Sequence, residues 1–219
     1  MMKEFIDYLK LQKELGYGDF PVSCKTTAIS VSKSENWNDF QQNVLSCQKC
    51  SLAKTRTQVV FGTGNKHAKL MFIGEAPGFD EDRLGEPFVG KAGELLTKII
   101  DAMGLERKDV YIANIIKCRP PENRNPNHEE IGSCYPYLLE QINWIKPHVI
   151  CALGSVAVQT LLGSEEKISR LRGKFFDFHG IQLMPTFHPA YLLRNPEYKR
   201  EVWMDMKKIL ELLKKDHSQ

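Results

Sequence analysis

From residue 69 onward, short unbroken apolar runs alternate with longer segments whose apolar residues recur every three or four positions. Lys69-Leu-Met-Phe-Ile-Gly74 is a continuous apolar run closed by glycine, the pattern of a strand buried on both faces of a parallel sheet. Val110-Tyr-Ile-Ala-Asn-Ile-Ile116 and Val149-Ile-Cys-Ala-Leu153 repeat it. Between the first two runs, Gly90 to Met103 predicts a helix with Leu95, Leu96, Ile99, Ile100 and Met103 on one face and Gly104 as its stop. Glu129 to Ile145 and Ser155 to Leu162 predict two more helices, followed by short strands over Lys174 to Phe178 and Ile181 to Pro185. A last helix is expected from about Glu201 to Lys214.

Strands alternating with helices predict an α/β fold, a three-layer α/β/α arrangement around a central, mainly parallel four-stranded sheet with right-handed crossovers. In such sheets ligands sit beyond the carboxyl ends of the strands. Gly74 to Gly78, Asn114 to Pro121, Gly154 and the loop after Met184 all fall at that edge.

Residues 1–35 read differently. A short amphipathic stretch to Leu15 meets the break Gly16-Tyr17-Gly18, and Ser/Thr/Lys-rich sequence with little periodicity follows. A weakly ordered extension is expected there, with one folded domain over residues 36–219. From Trp37 a helical pattern (Trp37, Phe40, Val44) runs into a pair of cysteines. With 219 residues and 42% apolar content the chain can bury one good core. Thirty basic and 27 acidic residues leave a formal charge of +3, which permits a polyanionic partner without requiring one. No apolar run reaches the roughly 20 residues of a membrane span, and the first residues carry acids and bases where a signal peptide would be apolar. A cytoplasmic monomer is the expectation.

In that compartment thiols stay reduced, so Cys47-Gln-Lys-Cys50, Cys118 and Cys134 point to a metal or iron–sulfur centre and not to disulfides. The long gap between Cys50 and Cys118 is unlike compact zinc ribbons, yet four thiolates serve zinc and an iron–sulfur cluster alike. Spacing alone leaves the two open. Cys24 and Cys151 lie outside this spacing, and Cys151 reads as a small buried hydrophobe in a strand.

Other residues stand out for their position. Gly74-Glu-Ala-Pro-Gly78 is a strand-to-loop turn, and Pro87-Phe88-Val89-Gly90 opens a helix whose free N–H groups suit a polar ligand. Asn114 is polar inside an apolar strand, where it serves either structural bonding or a ligand. Lys117-Cys-Arg-Pro-Pro-Glu-Asn-Arg-Asn-Pro126 is too proline-rich for helix or strand and reads as a cationic surface loop able to meet phosphate. Phe187-His188-Pro-Ala-Tyr-Leu-Leu-Arg-Asn195 follows a strand and is expected to expose Tyr191, Leu192 and Leu193 near Arg194.

The order GEAPG, EPFVGKAG, NIIKCRPPENRNP, a fourth cysteine and FHPAYLLRN closely resembles family 4 uracil-DNA glycosylases, from about Trp37 to Lys214. The resemblance implies a [4Fe–4S] cluster on Cys47, Cys50, Cys118 and Cys134, structural in role. It implies that the protein flips uracil out of single- or double-stranded DNA and hydrolyses the N-glycosidic bond. The Glu75-Ala76-Pro77 backbone would contact the base, Phe88 would stack on it, Asn114 would read its edge and His188 would donate to O2. Glu75 would aid the attacking water, since Ala76 stands where a better-known branch has aspartate. Leu192 would be the wedge left in the duplex, and Arg119, Arg124 and Arg194 would hold phosphate. A noncatalytic, zinc-stapled nucleic-acid-binding module is the competing reading from the residues.

Overall fold

The computed structural model describes residues 36–215; the expected extension over residues 1–35, with Cys24, lies outside them. Helix α1 (Trp37–Leu45) begins where the Asn36 side chain accepts the Asp39 N–H. It buries Phe40 and Val44 and ends just before the first cysteine pair. Trp37 meets Phe40, Phe61 and Tyr111 edge-on, which locks this helix against the sheet.

Six strands form one sheet: β1 (Thr63–Gly64), β2 (Leu70–Gly74), β3 (Tyr111–Asn114), β4 (Val149–Leu153), β5 (Phe176–Phe178) and β6 (Ile181–Thr186), in the order β1-β3-β2-β4-β6-β5. The inner four, β3, β2, β4 and β6, are parallel and form the expected four-stranded core. The structure adds β1 and β5 as antiparallel edges. β1 has two residues, too few for any periodicity to register. β5 and β6 form a hairpin through His179 and Gly180, both at positive φ, as a tight two-residue turn requires.

Successive residues of β2 feed opposite layers. Met71 and Ile73 pack with Phe40, with Leu138 and Ile142 of α4 (His128–Ile145) and with Val158 of α5 (Ser155–Leu162). Leu70 and Phe72 pack with Leu96 and Ile100 of α3 (Lys91–Ala102) and Met206 and Ile209 of α8 (Lys199–Lys215). Each such residue contributes about 1.5–3 kcal/mol on burial. A strand buried on both faces is what the unbroken apolar runs encode, and the three layers follow.

Three short helices were not legible as periodic segments: α2 (Phe79–Leu84), α6 (Ile168–Leu171) and α7 (Pro189–Arg194). α2 and α7 directly follow the loops at the carboxyl ends of β2 and β6. No described helix is long and apolar enough to cross a membrane.

Candidate active site and cysteine cage

Gly74 closes β2 with Asn114 beside it in the parallel register. A Cβ on Gly74 would come 2.5 Å from Asn114 Oδ1 and 2.6 Å from Phe88 Cζ, so only glycine leaves room for both side chains. Phe88 sits at φ +54°, a region that bulky residues rarely enter. Two charged side chains hold it there. Arg107 donates to the carbonyls of Pro87 (2.9 Å) and Phe88 (3.2 Å), and the Glu81 carboxylate accepts the N–H groups of Gly78, Val89 and Gly90, each at 3.1 Å. The Phe88 ring is buried and its centroid lies 5.5 Å from that of the His188 imidazole. Gly154 lets His188 approach, because a Cβ there would stand 2.9 Å from His188 Cβ. Phe88, Asn114 and His188 therefore gather around Gly74, with Glu75, Ala76 and Pro77 in the adjoining loop.

Asn114 is 2% exposed, and among the described residues nothing donates to its Oδ1. Leaving a buried carbonyl unmatched costs about 1–3 kcal/mol, a cost that a ligand with an N–H in the right place removes. His188 caps α7, its Nδ1 accepting the Ala190 N–H at 3.1 Å. Burial, and next the Arg194 cation, push its pKa down to about 4, so the ring is neutral near pH 7. With Nδ1 engaged as an acceptor, the ring proton resides on Nε2 and is the group left to donate. Burial raises the Glu75 carboxyl above its ordinary range, which makes its carboxylate a stronger base.

Beneath the slot, the structure corrects the reading of the 117–126 loop at its first residues, while residues 121–125 are exposed as expected. Lys117 is 1% exposed: its Nζ donates to the Asn114 carbonyl (2.8 Å) and Gln141 Oε1 (2.6 Å), and Gln141 in turn donates to Phe61 O. Burial lowers this amine to about 8. Arg124 is likewise committed, in a two-pronged pair with the buried Glu130 at 2.6 and 2.9 Å, so its charge is already matched. Arg119 donates to Asn123 Oδ1, and Arg194 is exposed.

The expected exposure of Leu192 is also overturned. Leu192 is 1% exposed and packs in the core, whereas Leu193 is 45% exposed. Folding 189–194 as a helix turns Pro189 and Leu192 inward together, three residues apart, and leaves Leu193 outside. Among the three acids at the head of α2, Asp82 accepts the Thr57 and Gln58 N–H groups and Glu81 holds the slot, while Asp80 is exposed. Glu81 is the third helical residue after Gly78, and its carboxylate accepting the Gly78 N–H is the acidic half of a capping box. Arg107 carried no comparable local signal.

The four expected cysteines line one cavity together with Val44, Arg56, Lys117 and Tyr137. Arg56 donates to Cys118 Sγ (3.2 Å) and to the Cys47 carbonyl (2.7 Å), and the Lys117 N–H points at Cys134 Sγ (3.2 Å). Burial raises both Cys118 and Cys134, the latter to about 12, which a bound cation would reverse. Among the described residues no three such side chains close on one point tightly enough for a single ion. Four thiols with N–H donors beside them are a donor set that zinc and an iron–sulfur cluster share. Cys151, as expected, is buried in β4.

Comparison with known proteins places these features in context. The model of the Uracil DNA glycosylase superfamily matches residues 61–207. The type-4 uracil-DNA glycosylase of Archaeoglobus fulgidus is 44% identical over 186 residues, covering 81% of this chain and 94% of its own. That of Thermotoga maritima is 45% identical over 179 residues, covering 80% and 93%. A type-5 uracil-DNA glycosylase of Pyrobaculum aerophilum is more distant, 28% identical over 193 residues.

Proposed function

Because this chain belongs to the uracil-DNA glycosylase superfamily, we propose that its slot performs that chemistry in the following way. The protein removes uracil from DNA in base excision repair, hydrolysing the N-glycosidic bond and leaving an abasic site. The bond is inaccessible inside a duplex, so the nucleotide must first leave the stack.

The single observation that carries the reading is the unmatched Asn114 Oδ1 beside the Phe88 ring. Uracil brings an N3–H to that acceptor, and its O4 accepts a hydrogen bond from the Nδ2 of the same amide. Cytosine presents an acceptor at N3 and a donor at position 4, so the amide would meet like with like and reject it. Phe88 supplies the stacking face, and the Glu75-Ala76-Pro77 backbone closes the other side.

As the C1′–N1 bond breaks, its electron pair moves into the base and negative charge grows on O2. Neutral His188 donates from Nε2 to that oxygen, a contact strongest in the transition state. Water adds to C1′, its oxygen forming the new bond and its proton ending on the base. Glu75, partly buried at the loop, orients that water.

Arg119 and Arg194 hold phosphate. Leu193, the exposed leucine of α7, takes the wedge role in place of Leu192 and fills the gap left by the extruded nucleotide. Cys47, Cys50, Cys118 and Cys134 hold a [4Fe–4S] cluster, whose contribution when bound is to staple α1 and the 117–118 turn to α4. Arg56 and the Lys117 N–H offset the charge of the thiolates.

Incubation with uracil-containing single-stranded DNA followed by alkali tests the reading. Strand breaks at uracil and none at cytosine are expected, and intact uracil strands from iron-loaded protein would refute it. Iron and sulfide analysis, with broad visible absorption, tests the cluster separately.

A further inference from the structure

Among the described residues, Phe79 is the most exposed large apolar side chain, at 61%, and it belongs to neither core cluster. Isolated surface apolar residues are common, so location has to decide what this one does. Phe79 stands two residues after Pro77 of the base-contacting loop, which confines its Cα to within roughly 7 Å of that residue. The Arg119 guanidinium lies over the ring, 5.2 Å from its centroid, and Asn123 steadies that arginine through its Nε. α2 itself is anchored rigidly, by Glu81 to the Phe88 loop and by Asp82 to Thr57 and Gln58.

A ring covered by a cation on one side and open on the other is a platform for a nucleobase. Extrusion of uracil also creates the need for one. When a base leaves the stack, its neighbour in the same strand loses a stacking partner and exposes an apolar face. We propose that Phe79, backed by Arg119, stacks on the base next to the extruded uracil in single-stranded DNA. This rests on the excision reading above and adds a second, sequence-tolerant contact to it.

The test uses single strands carrying a hydrolysis-resistant 2′-fluoro-deoxyuridine with 2-aminopurine on its 5′ or its 3′ side. Binding by the wild-type protein should change the 2-aminopurine fluorescence on one side only. Phe79→Ala should abolish that change and weaken binding about tenfold, while Phe79→Trp preserves both. Inhibition by free uracil should be the same in all three proteins, because the slot is untouched. Excision by the wild type combined with unaltered affinity and fluorescence in Phe79→Ala overturns the platform and leaves the excision reading standing. A Phe79-dependent fluorescence change from a protein that leaves ordinary uracil in place supports the platform and sinks the excision reading.

Discussion

The slot and the cysteine cage lie at opposite ends of the stretch from Asn114 to Cys118, yet their polar groups are in opposite states. In the slot, Asn114 Oδ1 is buried with nothing donating to it, and His188 keeps one N–H uncommitted. In the cage, Arg56 and the Lys117 N–H already point at sulfur. A site whose partner comes and goes has to leave hydrogen-bonding capacity open between visits, and the surrounding fold must bear that cost. A site whose occupant stays can have its donors arranged around the occupant for good. Substitutions in the cage should therefore act first on stability, and those in the slot first on rate.

The strongest way to break this contrast is Cys134→Ala, which should lose iron and visible absorption and prevent soluble folding, since metal binding and folding are one equilibrium in such sites. Recovery of a stable, colourless and fully active protein would remove the distinction. His188→Ala should cost only about 1 kcal/mol of stability, the loss of the α7 cap, and slow single-turnover excision by about a hundredfold to a thousandfold. Asn114→Ala should cost roughly tenfold or more in excision while barely destabilising the fold, because its acceptor has no internal partner to lose. A large drop in melting temperature would instead mark Asn114 as structural.

The two leucines of α7 sharpen the point within one helix. Leu193→Ala should slow excision of paired uracil by about tenfold, with little effect on single strands. Leu192→Ala should destabilise the protein by about 2–5 kcal/mol on denaturant unfolding. The last expectation concerns pH. His188 titrates near 6.5 when unfolded and at about 4 when folded, so between these values the unfolded chain binds more protons. Stability from this group is constant above about pH 6.5 and declines as pH falls toward 4, and excision should show no histidine titration between pH 6 and 8. A rate that rises on protonation in that range would contradict a neutral donor.

Much of this was legible in the chain because buried parallel strands advertise themselves. Val149–Leu153 was bounded to the residue, and α5 as well, since unbroken apolar runs and glycine stops have few alternatives. Asn114 was visible as an exception, a polar residue in an apolar run, whereas Phe88 and His188 took their roles only from the family resemblance. What escaped was one turn or two long. Without α7 there was no way to tell the inward leucine from the outward one, and both were expected at the surface. Lys117 escaped for a different reason. A stretch of prolines and charges follows it in sequence, while the partners that allow its burial, Gln141 and the Asn114 carbonyl, are assembled only by the fold. The ion pair of Arg124 was hidden in the same way, because Glu130 finds it across a helix cap.

Lys117 joins the two sites. The same residue faces Cys134 through its backbone and steadies the carbonyl behind the base-reading amide through its side chain. A disturbance that shifts the backbone beside Cys134 would therefore be felt at the Asn114 carbonyl as well, one side chain away.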